Sequence, residues 1–400
     1  MTDAHVPLAV LDLAPIVSGA TVSDAVANSI DLARHVESAG YRRHWLAEHH
    51  FTPGVASSAT SILIGQVAAA TSSIRVGSAA VQTGHQTPLS IVEQFGTLDA
   101  FFPGRIDLGL GRSGQRRAEA ISELAARTAG TGKDDSNAAS PSARIVDGLL
   151  IPKPFSFSSL LGSSRFASMH SHLQQPGAQS PDYAEQLDEI LAFLAGTLRT
   201  PDGDPIRAVP GVGAQVDVWI FGSSAGQSAQ VAAERGLPFA ANYHVSPATV
   251  LEAVDAYRAA FRPSKHLHAP YVAVSADVVV ADDDETAQHL ASPYGLWVRS
   301  IRTGRGAVEF PTPEEAAKHV WSDDDRDLVA DRVDTQFVGS PSTVVAGLEI
   351  LARATGADEL VVTTITHDHA DRVRSYELLA REWFAVRGSS AISEPARASG

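Results

Sequence analysis

Cysteine is absent from this 400-residue chain. Its absence excludes disulfides, thiolate nucleophiles and cysteine-held metal or iron–sulfur centres, and it fits a reducing compartment. Positive charge is scarce: 31 Lys and Arg stand against 46 Asp and Glu, a formal net charge of -15. That balance argues against nucleic acid or an anionic membrane as the main partner. An anionic ligand then needs a local cation or a set of backbone amides. No apolar run approaches the length of a membrane span. Residues 1–15 carry neither the basic start nor the apolar core of a secretory signal. The expectation is a cytoplasmic chain.

Strand and helix patterns alternate along most of the sequence. The apolar run Leu8 to Leu13 reads as a buried strand. Ser23 or Asp24 caps a helix that Gly40 ends. In Arg105 to Ser113, Ile106, Leu108 and Leu110 alternate with Asp107, Gly109 and Gly111, the period of a strand. Glycines there let another backbone or a flat ligand approach. Eight strands follow from such patterns, at 8–13, 43–47, 75–81, 105–111, 216–222, 239–242, 271–281 and 359–365. A helix follows nearly every one, and eight parallel strands with crossover helices is the number that closes a (β/α)8 TIM barrel. An open doubly wound sheet is the alternative. No GxGxxG follows the first strand, and GLGRSG at 109–114 follows the fourth with another spacing, which weakens a dinucleotide-binding reading.

The chain reads as one barrel domain over residues 1–400. Its middle, 128–181, is rich in Ser, Gly and breakers and reads as an inserted loop or lid. Order resumes with a helix capped by Ser180 or Asp182, and residues 388–400 read as a flexible tail.

Barrel enzymes place their chemistry at strand C-termini. That rule nominates Asp12, then Glu48, His49 and His50, then Ala79, Ala80, Val81 and Gln82, then Gly111 and Arg112, then Ser223 and Ser224, then Asn242 and His244, and last Thr363 and Thr364. Carboxylates do not cluster there, so two-metal hydrolysis and glycosidase dyads are poorly supported. Adjacent His49 and His50 point to opposite sides of a strand. Only one faces the mouth, and no metal site is expected. The segment Ser223 to Gly226 starts a helix whose amides form an anion cradle, and Arg112 supplies a cation for the same anion. Together they suggest a phosphorylated cofactor.

RHWLAEHH at 43–50, RVGSAAV at 75–81, PGRIDLGLGRS at 103–113, IFGSSAGQSAQVAAERGLP at 220–238 and GADELVVTTITHDHADRVRSYELLARE at 356–382 resemble the bacterial-luciferase-like, flavin-dependent monooxygenases. The resemblance implies a luciferase-like barrel that uses reduced FMN (FMNH2) and O2 to oxygenate an aldehyde, ketone, aromatic or sulfur compound through a flavin peroxide. A separate flavin reductase would supply the FMNH2. It places His49 beside the flavin as the catalytic histidine and a non-prolyl cis peptide at Ala79–Ala80 beneath the ring. It puts Arg112, Ser224 and Ser228 on the phosphate, with Ser223 near enough to share that role. Asp12, His50 and His244 are expected at the substrate side of the mouth, and Gly109 and Gly111 are expected to leave space for the cofactor. Relatives of this kind imply a homodimer, for which the helices at 59–70 and 89–100 are candidates. An F420-dependent oxidoreductase on the same barrel and a non-catalytic flavin-binding subunit are the alternatives.

Overall fold

Runs of small and β-branched residues become strands that pair edge to edge in chain order. They are β1 (Leu8–Asp12), β2 (Arg43–Leu46), β3 (Arg75–Ser78), β4 (Ile106–Gly111), β5 (Asp217–Gly222), β6 (Phe239–Asn242), β7 (Val272–Val280) and β8 (Glu359–Thr363). Every pairing between neighbours is parallel, and β8 pairs with β1 to close the barrel. The computed structural model describes residues 6–112, 142–155, 168–169, 171–178 and 181–389. The third strand is shorter than its periodicity predicts. It stops at Ser78, a cis peptide joins Ala79 to Ala80, and Val81–Gln82 pairs separately with β4.

The crossovers are helical: α1 (Val22–Ser38), α2 (Thr60–Ala70), α3 (Pro88–Phe101), α4 (Tyr183–Ala195), α5 (Gln227–Glu234) and α6 (Val250–Ala260). Between β7 and β8 the chain makes α7 (Asp284–Ala291), α8 (Tyr294–Arg302), α9 (Asp323–Val333) and α10 (Pro341–Thr355), and α11 (His369–Ser389) follows β8. The N-cap of α1 is Thr21 rather than Ser23 or Asp24. Thr21 Oγ1 accepts from the Asp24 amide at 3.2 Å while Asp24 Oδ2 accepts from the Thr21 amide at 2.8 Å, a reciprocal pair worth about 1 kcal/mol. Asp182 caps α4, its carboxylate accepting from the Ala184 amide at 2.8 Å.

Strand side chains alternate between two cores. Outward residues such as Val10, Val76 and Leu108 pack with Leu32, Val67 and Phe95 of the surrounding helices. Inward residues Ala9, Leu11, Trp45, Ala47, Trp219, Ala240, Ala273 and Val361 fill the barrel. At its N-terminal end, buried Arg43 donates to Asp107 at 2.7 Å and to Glu359 at 3.1 Å, and Trp45 Nε1 donates to Asp107 at 2.8 Å. This charged floor closes one end and leaves the C-terminal end as the mouth.

Much of the expected 128–181 insertion lies outside the described residues, as do Ser180 and the tail from 390. Within 142–155 the chain forms an antiparallel hairpin, Arg144–Val146 with Leu149–Ile151. Its turn is Asp147–Gly148, both with positive φ, and Leu149 and Ile151 are buried. The Tyr243 hydroxyl donates to the Leu150 carbonyl at 2.7 Å, fastening the hairpin to the end of β6.

Candidate active site

The inward parity of β2 decides between the two histidines. Trp45 and Ala47 point into the barrel, so His49 continues that face into the mouth and His50 turns away. His50 Nε2 lies 3.1 Å from Glu48 Oε1 instead. His49 is reached by solvent although the β2 residues before it are buried. The protein ringing it, and then the neighbouring His50, lower its pKa to about 4. It is therefore neutral at neutral pH.

Across the mouth, His244 follows β6. Its Nδ1 is hydrogen-bonded to the Ser275 hydroxyl at 2.5 Å. Burial lowers its pKa to about 3, with help from Arg332 and His49. Ser275 and Asp277 are inward polar positions in an otherwise apolar β7. Asp277 Oδ2 accepts from the Tyr294 hydroxyl and, at 3.3 Å, from Arg332 Nη2, which also donates to the Tyr294 oxygen at 2.6 Å. Burial raises the Asp277 pKa, and Arg332 and Tyr294 oppose that shift. The sequence reading missed this cluster, because α8 and α9 belong to an excursion it did not resolve. The alternating polar residues of VAVSADVVV were its one visible signal.

The β3, β4 and β5 ends meet on another side of the mouth. The Ala79–Ala80 peptide is cis, and a Cβ at Gly111 would lie 3.3 Å from the Ala80 Cβ. Arg112 follows Gly111 and donates from Nη1 to Gln227 Oε1 at 2.7 Å. Gln227 is the first residue of α5 and in turn donates to Asp182 at 2.7 Å. The N-cap of α5, Gly226, offers no side-chain cap; its carbonyl accepts from the Ala229 amide at 3.1 Å and the Gln230 amide at 3.3 Å, so the Gln227 and Ser228 amides ahead of them are the ones that suit an acceptor from outside the helix. Ser223 and Ser224 lead into this turn and Ser228 is buried within it. The sequence-nominated Arg112 and Ser223–Ser228 thus share one corner.

Two expectations are corrected. Asp12 does not face the mouth. It is fully buried on the outward side of β1, accepting from Ser29 at 2.5 Å, from the Ala14 amide at 2.7 Å and from Arg372 at 2.6 Å, with His44 Nε2 at 3.3 Å. Burial alone would raise its pKa; Arg372, then His44 and Ser29, reverse this and hold it far below the usual carboxylate range. Asp12 ties two helices to two strands. Gly109 does not leave space for a cofactor either. A Cβ there would stand 2.0 Å from the Ser78 carbonyl oxygen and 2.6 Å from the Phe221 ring, so the glycine admits the neighbouring strand and that ring.

Among the described residues no three His, Asp or Glu side chains gather as a metal site, and no helix is long and apolar enough to cross a membrane.

The sequence profile described as luciferase-like monooxygenase matches residues 8–131 and 161–359. An uncharacterized protein of Bacillus subtilis (strain 168), YvbT, is 38% identical over 379 residues, covering 94% of this chain and 96% of its own. A protein of Escherichia coli (strain K12) named luciferase-like monooxygenase is 35% identical over 379 residues, covering 94% and 97%. The crystal structure of apo-MsnO8 superposes with a TM-score of 0.73 at 31% identity, covering 95% of this chain and 98% of that one.

Proposed function

The chain belongs to the luciferase-like monooxygenase family, and from that premise we propose that it oxygenates a small organic substrate with O2 and reduced FMN. The observation that carries this is one corner of the mouth: Arg112 held against Gln227 at the start of α5, beside Gly111, where a Cβ would lie 3.3 Å from that of Ala80. The donor set suits a phosphate, combining a guanidinium, several hydroxyls and first-turn amides. Small side chains at Ala79, Ala80 and Gly111 suit a flat ring.

In this reading Arg112, Ser223, Ser224 and Ser228 hold the phosphate, and Ala79–Ala80 supports the ring. Bound reduced flavin supplies the electrons that activate O2, and the protein supplies position and electrostatics. His49, neutral at working pH, carries one N–H donor and one acceptor nitrogen and moves a proton at the reacting centre. His244, fixed through Nδ1 by Ser275, orients the substrate from the opposite wall. The closed barrel floor and the aromatic interior keep water from entering behind the reaction. A flavin reductase supplies the reduced cofactor. Two copies associate through α2 and α3, which carry the exposed apolar residues Ile62, Leu89 and Phe101.

The test is separate titration with reduced FMN and reduced F420, followed by O2 consumption with aldehyde, ketone, aromatic and sulfur substrates. FMN binding with substrate-dependent O2 uptake is expected. Binding of F420 without FMN would replace this reading with an F420-dependent oxidoreductase.

A further inference from the structure

We propose that the chamber beside the mouth, walled by His50, Phe51, His85 and His172, is the substrate site and selects a planar aromatic ring bearing a hydrogen-bond donor. The inference rests on the oxygenase reading for its chemistry, and on the following geometry for its place. The chamber holds about 500 Å³, within the ~300–1,000 Å³ of small-molecule pockets. Glu48, His50 and Phe51, which flank His49 at the end of β2, line it.

Phe51 is the first sign that the chamber is built for a ligand. Its φ is +55° and its side chain is 47% exposed. A left-handed conformation is uncommon for a bulky L-residue and costs about 1–2 kcal/mol. The loop is not at liberty to relax, because it is stitched on both sides. Thr52 Oγ1 donates to the His50 carbonyl at 3.1 Å, the Gly54 amide donates to Ala307 O at 2.7 Å, and the Ile16 amide donates to Gly54 O at 2.9 Å. Gly54 is required there, since a Cβ would stand 1.9 Å from the Val308 carbonyl oxygen. The benzyl ring is therefore held over the chamber rather than folded into a core.

The other rings are fixed as well. His50 is anchored by Glu48, His85 Nε2 lies 3.0 Å from Gln82 Oε1, and Gln82 Nε2 donates to the Glu48 carbonyl at 2.7 Å. His50 and His85 meet edge to face at 6.0 Å and 88°, and Phe51 and His172 at 6.3 Å and 53°. A flat aromatic guest extends such edge-to-face contacts, each worth about 0.5–1.5 kcal/mol beyond buried area, whereas an alkyl chain gains area alone. Glu48, an acid on the lining, and Gln86 supply acceptors for a ring hydroxyl or N–H.

The experiment titrates the purified protein with 2-naphthol and with 1-decanol, matched in carbon count and hydroxyl, and follows the imidazole NMR signals. The expected result is that 2-naphthol shifts the signals of His50, His85 and His172 and binds about tenfold more weakly to Phe51→Ala and to His172→Ala. FMN affinity should be unchanged in both variants, and Phe51→Trp should restore naphthol binding. The proposal is overturned if decanol binds as tightly as naphthol, or if neither substitution weakens naphthol binding. Because the readout is binding without turnover, failure of the flavin chemistry leaves it intact and is seen separately in the cofactor titration.

Discussion

The Arg112 guanidinium donates to the Gln227 side-chain oxygen at 2.7 Å, joining the end of β4 to the first residue of α5 across 115 positions of chain. A charged hydrogen bond to a phosphate in this corner is worth about 1.5–3 kcal/mol. Arg112→Ala should therefore weaken FMN binding by roughly ten- to a hundredfold, and Arg112→Lys by less, because a point charge replaces a planar fork. Flavin fluorescence titration measures both. An unchanged dissociation constant in Arg112→Ala removes the phosphate assignment.

His49→Ala should separate chemistry from binding. Loss of a positioned proton carrier costs about 10²–10⁴ in rate, while FMN affinity should stay within a fewfold of the parent. Single-turnover O2 consumption with preloaded reduced FMN is the measurement. Equal rates in the two proteins would count against any proton role for His49.

Asp12→Asn should act on stability and leave binding alone. Replacing the carboxylate leaves the buried Arg372 charge unpaired, at a cost of about 3–5 kcal/mol. The folded Asp12 pKa is depressed, so its stabilisation is present above pH 3.8 and lost as pH falls below that. The His244 pKa is lowered to about 3, so the unfolded chain takes up that proton first. Its stabilisation is present above pH 6.5 and drains away as pH falls toward 3. Thermal melts from pH 7 to 4 should show falling stability, and His244→Asn should flatten that slope. A slope unchanged by the substitution would reassign the acid sensitivity elsewhere.

Gly109 and Gly111 should differ despite their identical parity. Gly109→Ala drives a methyl into the Ser78 carbonyl and the Phe221 ring, so a loss of at least about 1–3 kcal/mol is expected. Gly111→Ala meets the Ala80 methyl at 3.3 Å and the Val81 carbonyl oxygen at an ordinary 3.9 Å, and it should fold while weakening FMN binding. Urea denaturation paired with FMN titration distinguishes them. Equal stability of the two variants would contradict the difference in their surroundings.

Phe101→Asp and Ile62→Asp should shift the protein toward monomer in analytical ultracentrifugation. Both side chains are largely exposed on the chain by itself, 72% and 65%, so a charge there costs the fold little. A parent protein that sediments as a monomer would end the proposed α2–α3 association.

Alternation made the barrel legible. Each strand carries one set of side chains to the helices and another to the interior, and that period survives in the sequence whatever the tertiary context. Ends were less legible. Thr21–Asp24 is a reciprocal capping pair whose pattern was present but read two or three residues late. Asp147–Gly148 between alternating apolar residues announces a hairpin turn, yet the Ser-rich surroundings masked it. The excursion carrying Tyr294 and Arg332 was missed because its apolar residues build a small separate cluster with Phe310 and Ile365, too sparse for periodicity to register.

The amino-acid sequence by itself determined the strand order, the helical crossovers, the absence of thiol chemistry and which strand ends carry polar groups, because these depend on local period and residue type. Only the tertiary structure decided what each of those groups does. Asp12 and His49 both end strands, but barrel curvature turns the first into the helix layer against Arg372 and the second into the mouth. Arg112 meets Gln227, and His50 meets His85 and Phe51 meets His172, only because closing the barrel brings remote loops to one rim. A side chain's type travels with the sequence; its partners are set by which face closure gives it.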